Sequence, residues 1–258
     1  PQLQGNLNAQ GPDLPLLLQI AGQLSCGAQS ALNQYGLKLR EGVRNRAFTL
    51  STDFDADLQQ GNIQLPALSA SMLGFRLNGN LDARNMQGNN GSVTGALSLE
   101  GENLREVLGA LDQAELGDDA QSLKLDIAVS GDRSNLRIDP LNLSVTLAGP
   151  QIPNSPQTLA FNANTLMNLN NDSLQADNFS VSGLGLNLRG NVAASNISGA
   201  VAYKGQIDLP AFNARQLLRQ LNQEVPVMKD ATVLQSVAAA SAFSGTANSI
   251  ALENLVVK

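Results

Sequence analysis

The sequence contains no histidine and no tryptophan, and its 258 residues include a single cysteine, Cys26. Without histidine, the commonest general base and metal ligand is missing, so Ser-His-Asp and Cys-His arrangements are excluded. One cysteine excludes both an internal disulfide and a zinc site made of cysteine pairs. We interpret Cys26 as a small buried hydrophobic residue. These absences predict a protein that is not an enzyme and has neither a metal site nor a cofactor.

Charged and aromatic side chains are also scarce. Charged residues make up 15% of the chain, and 16 Lys and Arg residues against 22 Asp and Glu residues give a net charge of −6. No basic stripe is visible, so we expect no nucleic-acid partner. Aromatic residues make up 3%, whereas hydrophobic residues make up 43%. This composition predicts a globular chain whose apolar surface is mostly aliphatic.

Carboxylates are grouped in the stretch DFDAD, residues 53–57, where alternation places Asp53, Asp55 and Asp57 on one face of a strand. The start of a calcium-binding loop has the same spacing. However, Leu58 and Gln64 stand where that loop needs glycine and glutamate. Because the intervening residues are apolar, we interpret the three aspartates as the solvated face of a strand.

Two similar stretches lie 111 residues apart: FRLNGNLDA at 75–83 and LNLRGNVAA at 186–194. The similarity continues after a one-residue gap, because GALSLEGENLREVLGAL at 95–111 matches GQIDLPAFNARQLLRQL at 205–221. Internal similarity of this length predicts a fold built from a repeated unit.

The repeat predicts three parts of the chain. An N-terminal lead, residues 1–47, holds a helix and strands and is interpreted as part of a preceding unit. Two β-rich units follow at 48–149 and 158–258. The segment 148–158 contains three prolines and is the predicted joint between the two units.

Strict alternation of apolar and polar residues dominates both units. Clear examples are Phe48–Leu58, Leu123–Val129 and Leu141–Leu147, whose alternate positions hold Ser, Asp, Asn and Lys. This pattern is typical of antiparallel strands with one apolar and one solvated face. We predict about 14 strands, and therefore a mainly β protein with a few short α-helices.

Four short phrases break the alternation in the same way: NIQLPAL (62–68), NLRIDPL (135–141), SLQADNF (173–179) and SIALENL (249–255). In each, two residues stand between the last two apolar positions. These positions are therefore three apart instead of two, and one is odd-numbered and the other even-numbered. A strand keeps its apolar set on one side across such a step only if it contains a bulge or a bend. The phrases therefore predict bulged strands and a curved antiparallel sheet.

Helices are predicted where the spacing of apolar residues changes from every second residue to every third or fourth residue. Residues 103–111 and 213–221 both begin with asparagine followed three residues later by glutamate or glutamine, which is capping-box spacing. Residues 230–240 and 14–24 are two further predicted helices. Each run is too short to span a membrane.

The arrangement of the sheet is left open by the pattern. It can close on itself as a β-sandwich whose apolar faces pack together. It can instead stay open as a gutter whose apolar floor binds something apolar, because a large exposed apolar patch usually marks a binding site. The alternation is the same in both arrangements.

The C-terminal stretch, residues 205–258, resembles the C-terminal region of the AsmA family of Gram-negative bacteria. A strand leads into a helix marked by Phe212, Asn213, Leu217, Leu218 and Leu221. A link containing Pro226, a second short helix at 230–240 and a closing hairpin with Leu252, Asn254 and Leu255 complete the resemblance. The first unit matches this pattern more loosely, with Gly101 and Glu102 in place of Ala211 and Phe212.

The resemblance implies a periplasmic protein that is anchored in the inner membrane by a segment outside this chain. It implies an open apolar β-groove like that of chorein-type bridge proteins, which carry phospholipids, and a part in outer-membrane biogenesis. The repeated unit would lengthen such a groove. The apolar strand positions expected to line it are Phe54, Leu77, Leu81, Leu97, Leu99, Leu188, Val192, Ile207 and Leu209.

Two alternative functions remain open. The chain can be a periplasmic scaffold that helps outer-membrane proteins assemble, with a closed core and an edge strand that binds a protein partner. It can also be a surface glycan-binding β-domain, although only Tyr35 and Tyr203, with no tryptophan, are available beside phenylalanine for stacking on sugars.

Overall fold

The computed structural model describes residues 2–16, 39, 41–88, 90–102, 104–110, 119–150, 152, 154–221, 223–227, 230 and 232–258. Within them, thirteen strands follow one another along the chain. Their bounds are β1 Gln2–Gly11, β2 Phe48–Asp57, β3 Asn62–Met72, β4 Phe75–Arg84, β5 Ser92–Glu102, β6 Ala120–Asp132, β7 Asn135–Leu147, β8 Gln157–Asn168, β9 Ser173–Gly183, β10 Leu186–Ser195, β11 Ala202–Phe212, β12 Val237–Thr246 and β13 Ser249–Val257.

The strands form a single sheet in which each pairs, antiparallel, with its neighbours in the sequence. The order runs from β1 to β13 without a crossover, and these two strands are the edges of the sheet. The expected mainly β fold with a curved, open antiparallel sheet is therefore confirmed. The alternative of a closed sandwich is wrong, because the described strands make one sheet rather than two facing layers. Alternation gives every strand one apolar side whether or not a second sheet covers it.

The two predicted units contribute six strands each to this sheet. Strands β2–β7 lie within the first unit, residues 48–149. Strands β8–β13 make up the second unit, and β8 begins at Gln157, one residue before the predicted start at 158. A helix follows the fourth strand in both: α1, Leu104–Ala110, and α2, Ala214–Gln220. The ladder continues across the predicted joint, because β7 and β8 pair from Asn135↔Asn168 to Leu147↔Gln157.

The ends of the strands, where the chain reverses direction, form two opposite borders of the sheet. These borders are distinct from the edge strands β1 and β13, and they differ in their connections. All longer connections with helices, including α1 and α2, lie at one border, which we call the helical edge. The opposite, turn edge has only short connections, such as 58–61 between β2 and β3 and 133–134 between β6 and β7. Large buried side chains, namely Pro15, Leu39, Val43 and Leu104, belong to the segments of the helical edge.

The four phrases that change parity are bulged strands, as predicted. Each of the strands β3, β7, β9 and β13 has one extra residue relative to its partner strand. The extra residue lies between Leu65 and Leu68, Ile138 and Leu141, Ala176 and Phe179, and Glu253 and Val256, respectively. These four bulged strands are the second and the sixth of each unit. Three of the bulges are at one level across the sheet, and the β13 bulge is one residue away, so together they form a transverse line that bends the strands.

The repeated stretches at 75–83 and 186–194 begin at identical turns. Leu73 and Gly74, between β3 and β4, have φ of 54° and 84°, and Leu184 and Gly185, between β9 and β10, have φ of 54° and 78°. Positive φ at both central residues is the conformation of a type I′ hairpin turn.

The glycines inside these stretches are required by space. A Cβ on Gly79 would lie 2.5 Å from the carbonyl oxygen of Ala96, and one on Gly190 would lie 2.3 Å from that of Gln206. Both distances are far below van der Waals contact with a backbone atom that the sheet holds in place. The same glycine therefore recurs because the neighbouring strand approaches equally closely in both units.

Two of the four predicted helices are present as expected. α1 and α2 fall within 103–111 and 213–221, and the Asn213 side chain accepts a hydrogen bond from the Gln216 backbone N–H at 2.9 Å. This bond is the predicted N-cap; Asn103 lies outside the described residues. Of the predicted helix at 14–24, residues 14–16 are helical and the rest lies outside the described residues, as do Cys26 and Tyr35.

The predicted helix at 230–240 is wrong. Residues 232–234 form a turn, and β12 begins at Val237. The stretch SVAAASAF is rich in alanine, which favours helix, but β12 fills the place between β11 and β13 with a full ladder on each side. Pairing with two neighbours overrides the helix propensity of the isolated segment.

Candidate functional site

Register places apolar side chains on one continuous face of the sheet. Directly paired residues in an antiparallel sheet point to the same side. One chain of pairs runs through the twelve strands β1–β12: Leu7, Thr52, Leu68, Gly79, Leu97, Ile127, Leu141, Ala163, Phe179, Gly190, Ile207 and Ser241. We call this side the apolar face and the opposite side the polar face.

All nine residues predicted to line a groove lie on the apolar face. Leu77, Leu99 and Leu188 share a second paired row with Leu125, Leu143, Phe161 and Val181, and Leu81 and Val192 share a third with Val129 and Ile138. Phe54 pairs with Gly5, and Leu209 pairs with Ala239. They do not meet in one pocket, because they lie on strands from β2 to β11, and a spacing of about 4.8 Å spreads them over roughly 43 Å.

These nine side chains remain partly accessible. Eight are half-buried, and Leu81 is exposed at 36% of its maximum. The buried residues of the face are small and lie among larger neighbours; they include Ala70, Ala83, Ala163 and Ala176 together with Thr52, Thr165 and Ser241. The accessible surface of the chain, 15947 Å², also exceeds the value of about 11,000 Å² expected for a compact monomer of 27.0 kDa. The sheet thus has an apolar side that its own described residues leave uncovered.

Most aromatic rings on the apolar face lie against glycines of the next strand. An added Cβ would meet the Phe54 ring at Gly5, the Phe75 ring at Gly101, the Phe179 ring at Gly190 and the Phe243 ring at Gly205. Phe161 and Phe179 stack with ring centroids 6.3 Å apart, and Tyr203 and Phe243 lie 6.1 Å apart. The rings therefore cover backbone that the glycines, which have no side chain, would leave bare.

The polar face carries exposed charges paired across strands. Lys124 lies 3.0 Å from Glu100 and 3.7 Å from Asp126, and Arg76 lies 3.8 Å from Glu100. The hydrogen bond to Glu100, with the nearby carboxylates, raises the pKa of Lys124 above its ordinary value. Such exposed pairs contribute little to stability, so they mark the solvated side of the sheet.

Carboxylates on the polar face and at the turn edge are also tied to local partners. The Arg84 guanidinium donates hydrogen bonds to Asp82, which holds the pKa of that carboxyl below its usual value. At the turn edge, the backbone N–H groups of Ser134 and Asn135 lower the pKa of Asp132. Asp53, Asp55 and Asp57 share the polar face, as predicted, and Asn6 donates to Asp53 at 2.7 Å. The described residues contain no cluster of metal-ligating side chains.

The polar face has a concavity that the sequence analysis did not predict. It measures about 770 Å³ and crosses β8–β13 at the line of bulges. Amide side chains, among them Asn164, Asn178, Asn191 and Gln206, provide much of its lining. Of the nine predicted groove residues, Ile207 alone contributes to it. The amides become neighbours only through the bulges, whose effect on register the sequence does not show.

Comparisons with models of protein families, with curated proteins and with solved structures find no match to this chain. The resemblance to the AsmA family therefore stays a prediction. Among the described residues, no helix has the length and apolar character needed to span a membrane.

Proposed function

We propose that the chain binds lipid acyl chains on its apolar face and contributes to phospholipid transport in outer-membrane biogenesis. In this proposal it is the periplasmic part of an AsmA-like protein anchored in the inner membrane by a segment outside the chain. The observation that carries the proposal is the apolar face itself, which crosses twelve paired strands and stays half-exposed.

The chemistry of the face fits an acyl chain. Its central strands β5–β7 present aliphatic side chains, including Leu97, Leu99, Ile127 and Leu143, and no charged residue occurs in the three paired rows that cross them. Burial of hydrocarbon is non-directional and contributes about 0.8 kcal/mol per CH₂. A face of this kind binds the acyl chains of lipids whatever their headgroup. It also lets the acyl chains slide along it, because no single contact holds them.

The dimensions fit as well. Strands of ten to thirteen residues give the face a depth of about 33 Å or more, at about 3.3 Å per residue. The sheet is also about 58 Å wide across its strands. The face can therefore hold several extended acyl chains side by side, as transport along it requires.

The test is lipid extraction and mass spectrometry on the chain purified without detergent from a Gram-negative host. We expect phospholipid in stoichiometric amounts. The double variant Leu77→Asp and Leu188→Asp places a charge on the same apolar row in both units, so it should stay folded and lose the lipid. The control is Asn78→Asp and Asn187→Asp, which adds the same charge one residue away on the polar face and should keep the lipid.

Three outcomes contradict the proposal. The first is wild-type protein that unfolds cooperatively but carries no lipid. The second is lipid retained by the Leu77→Asp, Leu188→Asp variant. The third is unfolding of that variant while the polar-face control stays folded, because a packed and closed apolar layer would respond in this way.

A scaffold for outer-membrane protein assembly is a second candidate, supported by the edge strand β13. All nine residues of β13 are exposed, with Ile250 at 68% and Leu255 at 60%, and its outer side pairs with no described strand. Such an edge can add a strand from a protein partner. A photocrosslinker at Ala251 should then capture outer-membrane proteins in cells, whereas one at Asn187 on β10 should not.

A further inference from the structure

The concavity on the polar face lies over the second unit and is lined by a row of amides. Asn164 pairs directly with Asn178 across β8 and β9, and Asn191 pairs directly with Gln206 across β10 and β11. All four lie at the line of bulges, so the row crosses four strands. The volume of about 770 Å³ is within the range of small-molecule binding sites.

Three of the four amides are not used to hold the sheet together. Stacked amides that stabilise a sheet bond to one another along the row. Among the described residues, Asn178, Asn191 and Gln206 make no side-chain hydrogen bond. With its amide turned to the orientation that satisfies both of its polar atoms, Asn164 donates to Asp139 on β7 at 3.0 Å. Arg189 and Asp208 face each other in register beside the row, yet neither forms an ion pair with a described residue. The concavity therefore offers free donors and acceptors in similar numbers.

The repeat supplies an internal comparison. The matching positions in the first unit are Asp53 for Asn164, Ala67 for Asn178, Asn80 for Asn191 and Ala96 for Gln206. Two of the four amides are thus alanines in the first unit, although the bulge and the strand pairing are the same there. The fold does not require the amides, so their presence in the second unit needs another reason.

We propose that this amide row binds a neutral, hydroxyl-rich ligand, that is, the sugar part of a glycan. Each amide group both donates and accepts, as each sugar hydroxyl does, so hydroxyls can satisfy the row without bringing a charge. Asp177, Asp208 and Arg189 leave a net charge of −1 in the concavity, which does not favour an anionic ligand. The proposal concerns the opposite side of the sheet from the lipid face and does not rest on lipid binding.

The experiment follows the side-chain amide signals of isotope-labelled protein by NMR. The probes are maltotetraose, cellotetraose and the β-linked tetramer of N-acetylglucosamine, each at millimolar concentration, and vesicles with and without a neutral glycolipid. We expect saturable shifts of the Asn178, Asn191 and Gln206 side-chain signals with at least one probe. Shifts with a soluble tetramer identify a free glycan as sufficient, whereas shifts only with glycolipid vesicles identify a membrane-borne sugar.

The variant Asn178→Ala with Gln206→Ala makes the second unit resemble the first. Loss of two hydrogen bonds should raise the dissociation constant about tenfold or more, with no change in thermal midpoint because both residues are exposed. The matched control Asn80→Ala in the first unit should bind like wild type. No shifts with any probe, shifts confined to the apolar face, or equal affinity in the double variant would each overturn the proposal.

Discussion

The helix that follows the fourth strand buries a large side chain in the first unit and none in the second. In α1, Leu104 is 8% exposed, and Glu106 accepts a hydrogen bond from the Arg44 backbone N–H, which joins the helix to the lead. In α2 no described side chain is buried. The residue of α2 that matches Leu104 is Ala214. Leu104 thus gives α1 a buried apolar contact that α2 lacks, whereas Arg215 of α2 donates hydrogen bonds to the backbone carbonyls of Val233 at 2.7 Å and Asp230 at 3.3 Å.

The difference separates what the repeat preserves from what it leaves free. Strand pairing, the bulge of the second strand, the hairpin turns and the apolar face are shared by both units, because each depends on contacts with the next strand. Helix packing and the polar face differ, since neither enters the ladder. A change in either can therefore specialise one unit without disturbing the sheet.

The largest expected effect tests the packing of α1. Leu104→Ala converts the position to the residue of the second unit, and the free energy of unfolding should fall by about 2–4 kcal/mol because a buried side chain is removed. Leu218→Ala, at a half-exposed position of α2, should cost about 1 kcal/mol. Urea unfolding measures both. Equal losses would mean that the two helices are packed alike.

A second effect tests the shared strand approach. Gly79→Ala and Gly190→Ala should each lower the free energy of unfolding by about 1–3 kcal/mol, because the new Cβ meets a fixed carbonyl oxygen. Gly190→Ala should be the more damaging, since the Phe179 ring also lies 2.7 Å from the added atom. Gly109→Ala, where nothing lies within 4 Å, is the control. A neutral result at either strand position would break the equivalence of the units.

A third and smaller effect concerns the N-cap of α2. Asn213→Ala removes the acceptor of the Gln216 N–H and should cost about 1 kcal/mol, whereas Asn213→Asp keeps an acceptor and most of the stability. Because α2 buries no side chain, the loss should appear as faster amide hydrogen exchange in 214–220 rather than in the sheet. Unchanged exchange there would show that the cap does not hold the helix.

The smallest effect is a dependence on pH at one turn of the first unit that the matching turn of the second unit lacks. The lowered pKa of Asp132 means that its carboxylate favours the folded turn between β6 and β7. This contribution is complete above the unfolded-state pKa of about 3.9 and is lost as pH falls through the lower folded-state value. The matching turn between β12 and β13 uses Thr246, which does not titrate. Acidification should therefore lower the hydrogen-exchange protection factors, which correct for the intrinsic effect of pH, at 133–135 but not at 247–249, and Asp132→Asn should remove the difference.

Much of the fold could be predicted from the sequence, because alternation and parity are local properties. The four bulged strands follow from parity alone, and α1 and α2 follow from a change of period with a capping residue. The segment 230–240 is the exception, because its alanine-rich sequence favours helix and only pairing with β11 and β13 makes residues from Val237 onward a strand.

The candidate site could be predicted only in part. Parity is sufficient to place residues such as Leu77 and Leu188 on one face, and all nine predicted positions share it. Alternation does not say whether that face is covered, so the open sheet had to be observed. The amide row depends on the pairing of Asn164, Asn178, Asn191 and Gln206 across bulges, and no local pattern brings such residues together.

The unbroken order from β1 to β13 also bears on how the chain folds. Every ladder joins strands that are consecutive in sequence, so most ladders close only a short loop; the longer connections are those of β1 with β2, β5 with β6 and β11 with β12. Folding can then start at any hairpin and spread outward one strand at a time, as it does in repeat proteins. Stability becomes a sum over neighbours, and the end strands fray first. A sheet of this kind can gain or lose whole hairpins in evolution without redesign of the remainder.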